Sequence, residues 1–238
     1  MRFESVASSS HGNAYMLDDG RTKLLIECGV SYKQLTRALG FRLTEVQGVL
    51  ISHEHRDHSS CVDKLIGHGL DVYMSSGTAE ALELPEKLLE LAHGMEAGVG
   101  LTIGTMDILP FQVFHDCREP LGFCVQSQVD HDIFAYAIDT VNIPYRFPGV
   151  NILAVEANFD QTILDRCERM PEKVRKRISN THMEIDVLCR CLDRMDLSRC
   201  RELWLMHLSD STSHEGHFIN KVRRHVPPSV KVYACGRE

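Results

Sequence analysis

Four side chains able to hold a metal ion crowd into six residues: His53, His55, Asp57 and His58 spell His-x-His-x-Asp-His. They follow Val49-Leu50-Ile51, an apolar run of strand type. In an extended chain residues two apart share a face, so His53, His55 and Asp57 converge on one point. His58 falls out of that alternation, which fits a chain turning into a helix over 59–67. Imidazole nitrogen with carboxylate oxygen is a donor set for zinc and comparable divalent ions. The helical zinc-protease pattern His-Glu-x-x-His is excluded, because Asp57 stands four residues after His53.

A pair of ions needs more ligands than one turn supplies, so others are expected at other strand ends. His115 follows the apolar run ending at Phe114, Asp139 follows Phe134 to Ile138, and His207 follows Leu203 to Met206. The ends of strands are where α/β proteins place their chemistry.

The elements that must position these residues follow from apolar pattern and turn residues. Strands are expected over 3–7, 14–17, 23–27, 46–52, 71–75, 107–115, 123–128, 134–139, 152–157, 203–208 and 231–235. Helices are expected over 32–39, capped by Ser31 and stopped by Gly40, then over 59–67, 76–83, 85–91, 160–169, 171–178, 183–195 and 215–225. Thr181 with Glu184 three residues on reads as a capping box for the helix over 183–195. Gly94, Gly98, Gly100 and Gly104 mark a loop or hairpin region, and residues 128–132 a hairpin tip. Strands followed by mixed strands and helices occur twice, which predicts one α/β domain over residues 1–238 made of two similar halves.

Composition narrows the class. A hydrophobic content of 43% with 25% charged residues is that of a soluble globular protein. The Met1-Arg2-Phe3-Glu4-Ser5 start lacks a signal-peptide apolar core, and no apolar run reaches membrane-spanning length. Nine cysteines, an odd number in largely apolar settings, predict reduced thiols in a cytoplasmic protein. The net charge of −7 weighs against nonspecific affinity for nucleic acid. Locally the balance reverses: Arg166, Arg169, Lys173, Arg175, Lys176 and Arg177 face only Glu168 and Glu172 within 166–178. That segment reads equally as a solvated helix face or a phosphate-binding surface.

Longer motifs carry a resemblance. Ala7-Ser8-Ser9-Ser10-His11-Gly12-Asn13-Ala14, Leu24-Leu25-Ile26-Glu27-Cys28-Gly29, the His53 cluster, and His115-Asp116 followed by Pro120-Leu121-Gly122-Phe123 come in order. Ala137-Ile138-Asp139-Thr140, Val155-Glu156-Ala157-Asn158-Phe159-Asp160, Lys176-Arg177-Ile178-Ser179 and Met206-His207-Leu208-Ser209 follow. The chain resembles metallo-β-lactamase-fold hydrolases, and among them the YycJ/WalJ (VicX) group related to ribonuclease Z. The resemblance implies a four-layer αβ/βα sandwich with two divalent metals, zinc or manganese, with iron also accommodated. By position, His53, His55 and His115 would hold one metal, Asp57, His58 and His207 the other, and Asp139 would bridge both. His182 matches the histidine that assists the leaving group, and Glu156 the carboxylate that orients it. The chain departs from the pattern at Glu27, where the group usually has Asp, and around His182, where Thr181 and Glu184 replace small neighbours. There is no room between His115 and Asp139 for a tRNA-gripping arm. An oxygen-reducing di-iron reading is disfavoured because His55 stands where that branch has Glu. The remaining histidines read as ordinary residues, with His214 and His11 the two expected nearest a substrate.

The implied reaction is hydrolysis of a phosphodiester. Two metals about 3.5–4 Å apart lower the pKa of a shared water from 15.7 toward about 7. Asp57 would hold the nucleophile's proton, and His182 would protonate the departing oxygen. The expected activity is that of a nuclease, a DNA exonuclease before an RNA one, with no membrane partner and the oligomeric state open, a dimer included. The alternative is a small-molecule hydrolase on the same centre, acting on a cyclic nucleotide, thioester or lactone.

Overall fold

The chain opens as two long antiparallel strands, β1 (Arg2–Ser9) and β2 (Gly12–Asp18), the second buried along all but its last residue, with the register broken between Ser5 and Ala7. The structure, a computed structural model, describes residues 1–9 and 12–235; the expected substrate neighbour His11 lies outside them. β2 pairs antiparallel with β3 (Lys23–Ile26), and from there pairing is parallel through β4 (Gly48–Leu50), β5 (Val72–Ser75) and β6 (His93–Met95). These six strands form one sheet in chain order. Short parallel strands buried on both faces should be continuous apolar runs, and Val49, Leu50, Leu24, Leu25 and Ile26 are all fully buried. Helices Tyr32–Leu39 and Val62–Gly67 pack Leu35, Leu39, Val62, Leu65 and Ile66 against this sheet in one apolar cluster. Burying each such side chain contributes about 1.5–3 kcal/mol.

The chain divides into two units, Met1–Gln112 with Cys117–Asp132, and Val113–Asp116 with Ile133–Glu238. The first also holds the antiparallel ladder of β7 (Leu101–Ile103), β8 (Met106–Gln112) and β9 (Leu121–Ser127). Asp19 ties that ladder to the turn after β2, because its carboxylate accepts from Thr105 Oγ1 at 2.7 Å and Ser127 Oγ at 2.9 Å.

The second unit is built on four parallel strands in chain order, β10 (Ile133–Ala137), β11 (Ile152–Glu156), β12 (Glu202–Met206) and β13 (Lys231–Ala234). Helices Gln161–Asp165, Glu172–Thr181, Ile185–Leu192 and Glu215–Val222 complete it. Three antiparallel strands followed by a parallel series thus occur twice along the chain, as the sequence pattern predicts.

Several expectations need correction. The helix over 59–67 is two, Arg56–Ser59 and Val62–Gly67, because Cys61 N–H leaves the helical ladder to donate to Cys28 O at 3.2 Å. The strand over 107–115 ends at Gln112; beyond it, Phe114 N–H donates to Thr140 Oγ1 at 3.0 Å. His115 therefore sits in a loop, not at a strand end. The glycine-rich interval contains β6 and β7. The Thr181–Glu184 capping box does not form. Glu184 is itself the N-cap, accepting from Asp186 N–H and Val187 N–H, while Thr181 ends the preceding helix and bonds Arg177 O. Among the described residues no helix is long and apolar enough to cross a membrane.

Candidate metal centre

In the first unit the end of β4 delivers the His53–His58 turn. His53 Nδ1 lies 2.8 Å from Ser52 Oγ, and the His53 ring packs 4.7 Å from His55 and 4.3 Å from His58, centroid to centroid. His58 is fully buried. Its Nδ1 faces Glu27 Oε1 at 3.5 Å, and its Nε2 lies 3.3 Å from Asp57 Oδ2. A carboxylate behind one ring nitrogen fixes the tautomer and leaves the other as a ligand. Glu27 stands where the resembled group usually has the shorter Asp, and its second oxygen accepts Ser52 N–H at 3.3 Å. Glu27 adopts φ 63°, a left-handed conformation that costs a non-glycine residue about 1–2 kcal/mol. Glu54 turns away from this work, accepting Arg118 N–H at 2.8 Å.

Backbone approach is equally tight. Cys28 N–H donates to His58 O at 2.8 Å. A Cβ on Gly29 would stand 1.5 Å from Asp57 O, so only glycine lets the histidine turn lie against the end of β3. Asn13, wholly buried, donates to Asp57 O and reaches His58 Nε2, both at 3.2 Å.

The second unit gathers His115, Asp139, Glu156, His182 and His207. Asp139 Oδ2 faces His115 Nε2 at 3.7 Å, and Oδ1 faces His207 Nδ1 at 3.0 Å and His182 Nδ1 at 3.4 Å. One ligating atom from each of Asp139, Glu156, His182 and His207 falls within 4.8 Å of the others. His115 is brought to Asp139 because Phe114 bonds Thr140 and Val141 N–H donates to Phe114 O at 3.3 Å. Its Nδ1 donates to Thr181 O at 2.8 Å, which leaves Nε2 with the lone pair. Asp139 and His207 are also left-handed, at φ 48° and 53°. Such strain collects where surroundings hold a functional side chain in place.

Glu156 ends β11 and is fully buried, with four partners. His182 Nδ1 donates to Oε1 at 2.6 Å, His207 Nδ1 lies 3.3 Å from the same oxygen, and Thr140 N–H and Met183 N–H donate to Oε2 at 2.9 and 3.1 Å. Burial alone would raise its pKa, but the His182 charge and these histidine hydrogen bonds outweigh it and hold the value below 4.5. Burial alone would lower the pKa of His182, but Glu156 and then Asp139 raise it from 6.5 to about 9. The pair is therefore an imidazolium on a carboxylate, and nearby metal cations would oppose that charge. Neutral imidazoles and carboxylates at such spacing suit zinc, manganese or iron.

The sequence pattern described as the beta-lactamase superfamily domain matches residues 22–208, a span running through both units. The chain belongs to the β-lactamase superfamily. It is 29% identical over 222 residues to Exodeoxyribonuclease WalJ of Streptococcus pneumoniae, covering 87% of this chain and 81% of that one. It is 27% identical over 221 residues to Exodeoxyribonuclease YycJ of Bacillus anthracis, covering 88% and 83%. In structure it is similar to the metallo-β-lactamase fold protein YhfI of Bacillus subtilis, at TM-score 0.71 and 18% identity over 98% of this chain and 95% of that one. The short form of human tRNase Z aligns at TM-score 0.64 and 14% identity over 88% and 93%. The resemblance read from the motifs is borne out, and the fold is the metallo-β-lactamase α/β fold.

Within this superfamily member, the first unit brings together His53, His55, Asp57 and His58, and the second His115, Asp139, Glu156, His182 and His207. The residues missed from sequence are the supporting ones: Asn13, Ser52, Asn158 and Thr140. Asn158 Nδ2 donates to His207 O at 2.9 Å. Asn13 and Asn158 each lie inside a quoted motif beside apolar neighbours, and a buried amide there is the signal that could have found them. His214 has a structural role, capping helix Glu215–Val222 through Nδ1.

Proposed function

We propose that this β-lactamase superfamily member is a dinuclear metal-dependent DNA exonuclease of the cytoplasm. The observation that carries the reading is Asp139, a buried carboxylate whose two oxygens face histidines from different parts of the chain, as a residue bridging two ions must. His53, His55 and His115 would hold one ion, Asp57, His58 and His207 the other, with zinc or manganese favoured by the donors. A family match running through both units supports treating residues 1–238 as one catalytic domain. The names of the WalJ and YycJ relatives favour DNA, and the nine cysteines, all thiols, fit a reducing compartment.

When bound, the ions would supply Lewis acidity and an acidified water as nucleophile. Asp57, itself a candidate ligand, would hold the remaining proton of that nucleophile. His182, kept protonated by Glu156, gives its proton to the sugar oxygen as the phosphorus–oxygen bond breaks. Chelator-treated protein reloaded with zinc or manganese should release nucleotides from 5′-phosphorylated DNA, and Asp57→Ala should not. Turnover of cyclic nucleotides with intact DNA would overturn the exonuclease reading in favour of a small-molecule hydrolase.

A further inference from the structure

Helix Glu172–Thr181 carries Lys173, Arg175, Lys176 and Arg177 and ends at His182, its C-cap. Arg175 is engaged within its own segment, where its Nη1 donates to Cys167 O and Met170 O at 3.0 and 3.1 Å. Lys173, Lys176 and Arg177 are exposed. Lys176 pairs with Glu172 of its own helix at 2.6 Å, an exposed contact that a phosphate can displace. Arg177 is placed differently. Its Nε donates to Asp116 Oδ2 at 2.7 Å and its Nη2 to Asp116 Oδ1 at 3.4 Å. Asp116 Oδ1 in turn lies 3.3 Å from His115 Nε2. One carboxylate therefore separates the guanidinium from a residue of the candidate metal centre.

Resting on the exonuclease reading, we propose that Arg177 anchors the nucleic-acid strand by a phosphate beside the scissile one, with Lys173 and Lys176 holding phosphates further along. A guanidinium fork matches phosphate as well as it matches carboxylate. At 1.5 Å per residue, Arg177 and Lys173 lie about 7.5 and 13.5 Å along the helix from His182, so the cations lead away from the leaving-group acid in a row. A chain of net charge −7 must gather its positive charge locally to hold a polyanion.

The test compares wild type, Arg177→Ala, Arg177→Lys and Lys173→Ala/Lys176→Ala as metal-loaded proteins on single-stranded DNA across a salt series, with folding checked by thermal unfolding. Arg177→Ala should raise KM about tenfold while kcat stays within about twofold. It should also flatten the plot of log affinity against log salt by about 0.7, the worth of one single-strand phosphate contact. Arg177→Lys should keep the salt slope and recover part of KM, and the lysine double variant should flatten the slope further. An unchanged KM and slope in Arg177→Ala, with wild type active on DNA, overturns the anchor alone. A wild type inactive on DNA but active on bis(p-nitrophenyl) phosphate overturns the exonuclease reading and the anchor with it.

Discussion

His182 Nδ1 lies 2.6 Å from Glu156 Oε1, and the carboxylate is wholly buried. The contact joins the residue at the C-terminus of one helix to the last residue of β11. It is a charged pair by environment, since each partner shifts the other toward its ionised form. Its consequences are measurable with and without metal.

Stability of the metal-free protein should fall as pH rises through this pair's range. The folded pKa of His182 is raised from 6.5 to about 9, so its contribution is full below pH 6.5 and lost toward pH 9. Glu156 is shifted down from 4.5, so its contribution is present above that value and lost in acid. The pair stabilises most between about pH 4.5 and 6.5, and the loss on going to alkaline pH should be on the order of 3 kcal/mol. Urea unfolding of chelator-treated protein at stepped pH measures this, and Glu156→Gln should remove most of the slope.

In catalysis the same histidine should matter in proportion to the need for a proton. His182→Ala should slow a diester with an alkoxide leaving group by about 10²–10⁴ and one with p-nitrophenolate far less. Equal losses on both would rule out proton donation by His182.

Gly29→Ala should be among the most damaging single substitutions in the first unit. The new Cβ would overlap Asp57 O at 1.5 Å and stand 2.6 Å from His58 N, both backbone atoms with nowhere to yield. A loss of about 4 kcal/mol or more is expected, read as a lowered unfolding midpoint. Metal content of the surviving protein should drop with it, because the displaced residues are the candidate ligands.

Glu27 tests whether the longer carboxylate is tuned to its place. Glu27→Gln keeps the shape but weakens the hold on His58 Nδ1, now 3.5 Å away. Metal affinity should fall about 10–100-fold, measured by competition with a chelating dye. Glu27→Asp shortens the reach and should lower affinity as well, despite restoring the residue usual in the resembled group.

Asp139→Asn should bind fewer than two ions per chain by elemental analysis, since an amide offers one neutral oxygen where the carboxylate offers two charged ones. Asparagine tolerates left-handed backbone, so φ 48° gives no reason for misfolding. Two ions retained would show that Asp139 is not a bridge.

The His53–His58 cluster was legible because its ligand types stand together in the sequence, although the alternation that put Asp57 on an extended chain fails: β4 ends at Leu50, and Asp57 and His58 lie in helix Arg56–Ser59. The apolar runs were legible too, since strands buried on both faces have few polar positions. Element ends were not. The strand before His115 stops early because Phe114 finds Thr140, and the helix after His58 breaks because Cys61 finds Cys28. Neither partner is near in sequence, and nothing in the local pattern announces them.

By itself the amino-acid order determined which side chains can ligate, how the strands and helices succeed one another, and which superfamily the chain joins. Tertiary structure alone decided that Asp139 offers its two oxygens to different histidines, that Glu156 serves four partners, and that Glu27, Asp139 and His207 turn left-handed after their strands. The physical reason is the range of the forces. Periodicity and propensity act over a few residues, whereas hydrogen bonds and charge pairs among buried groups depend on which distant segments the packing brings within about 3 Å.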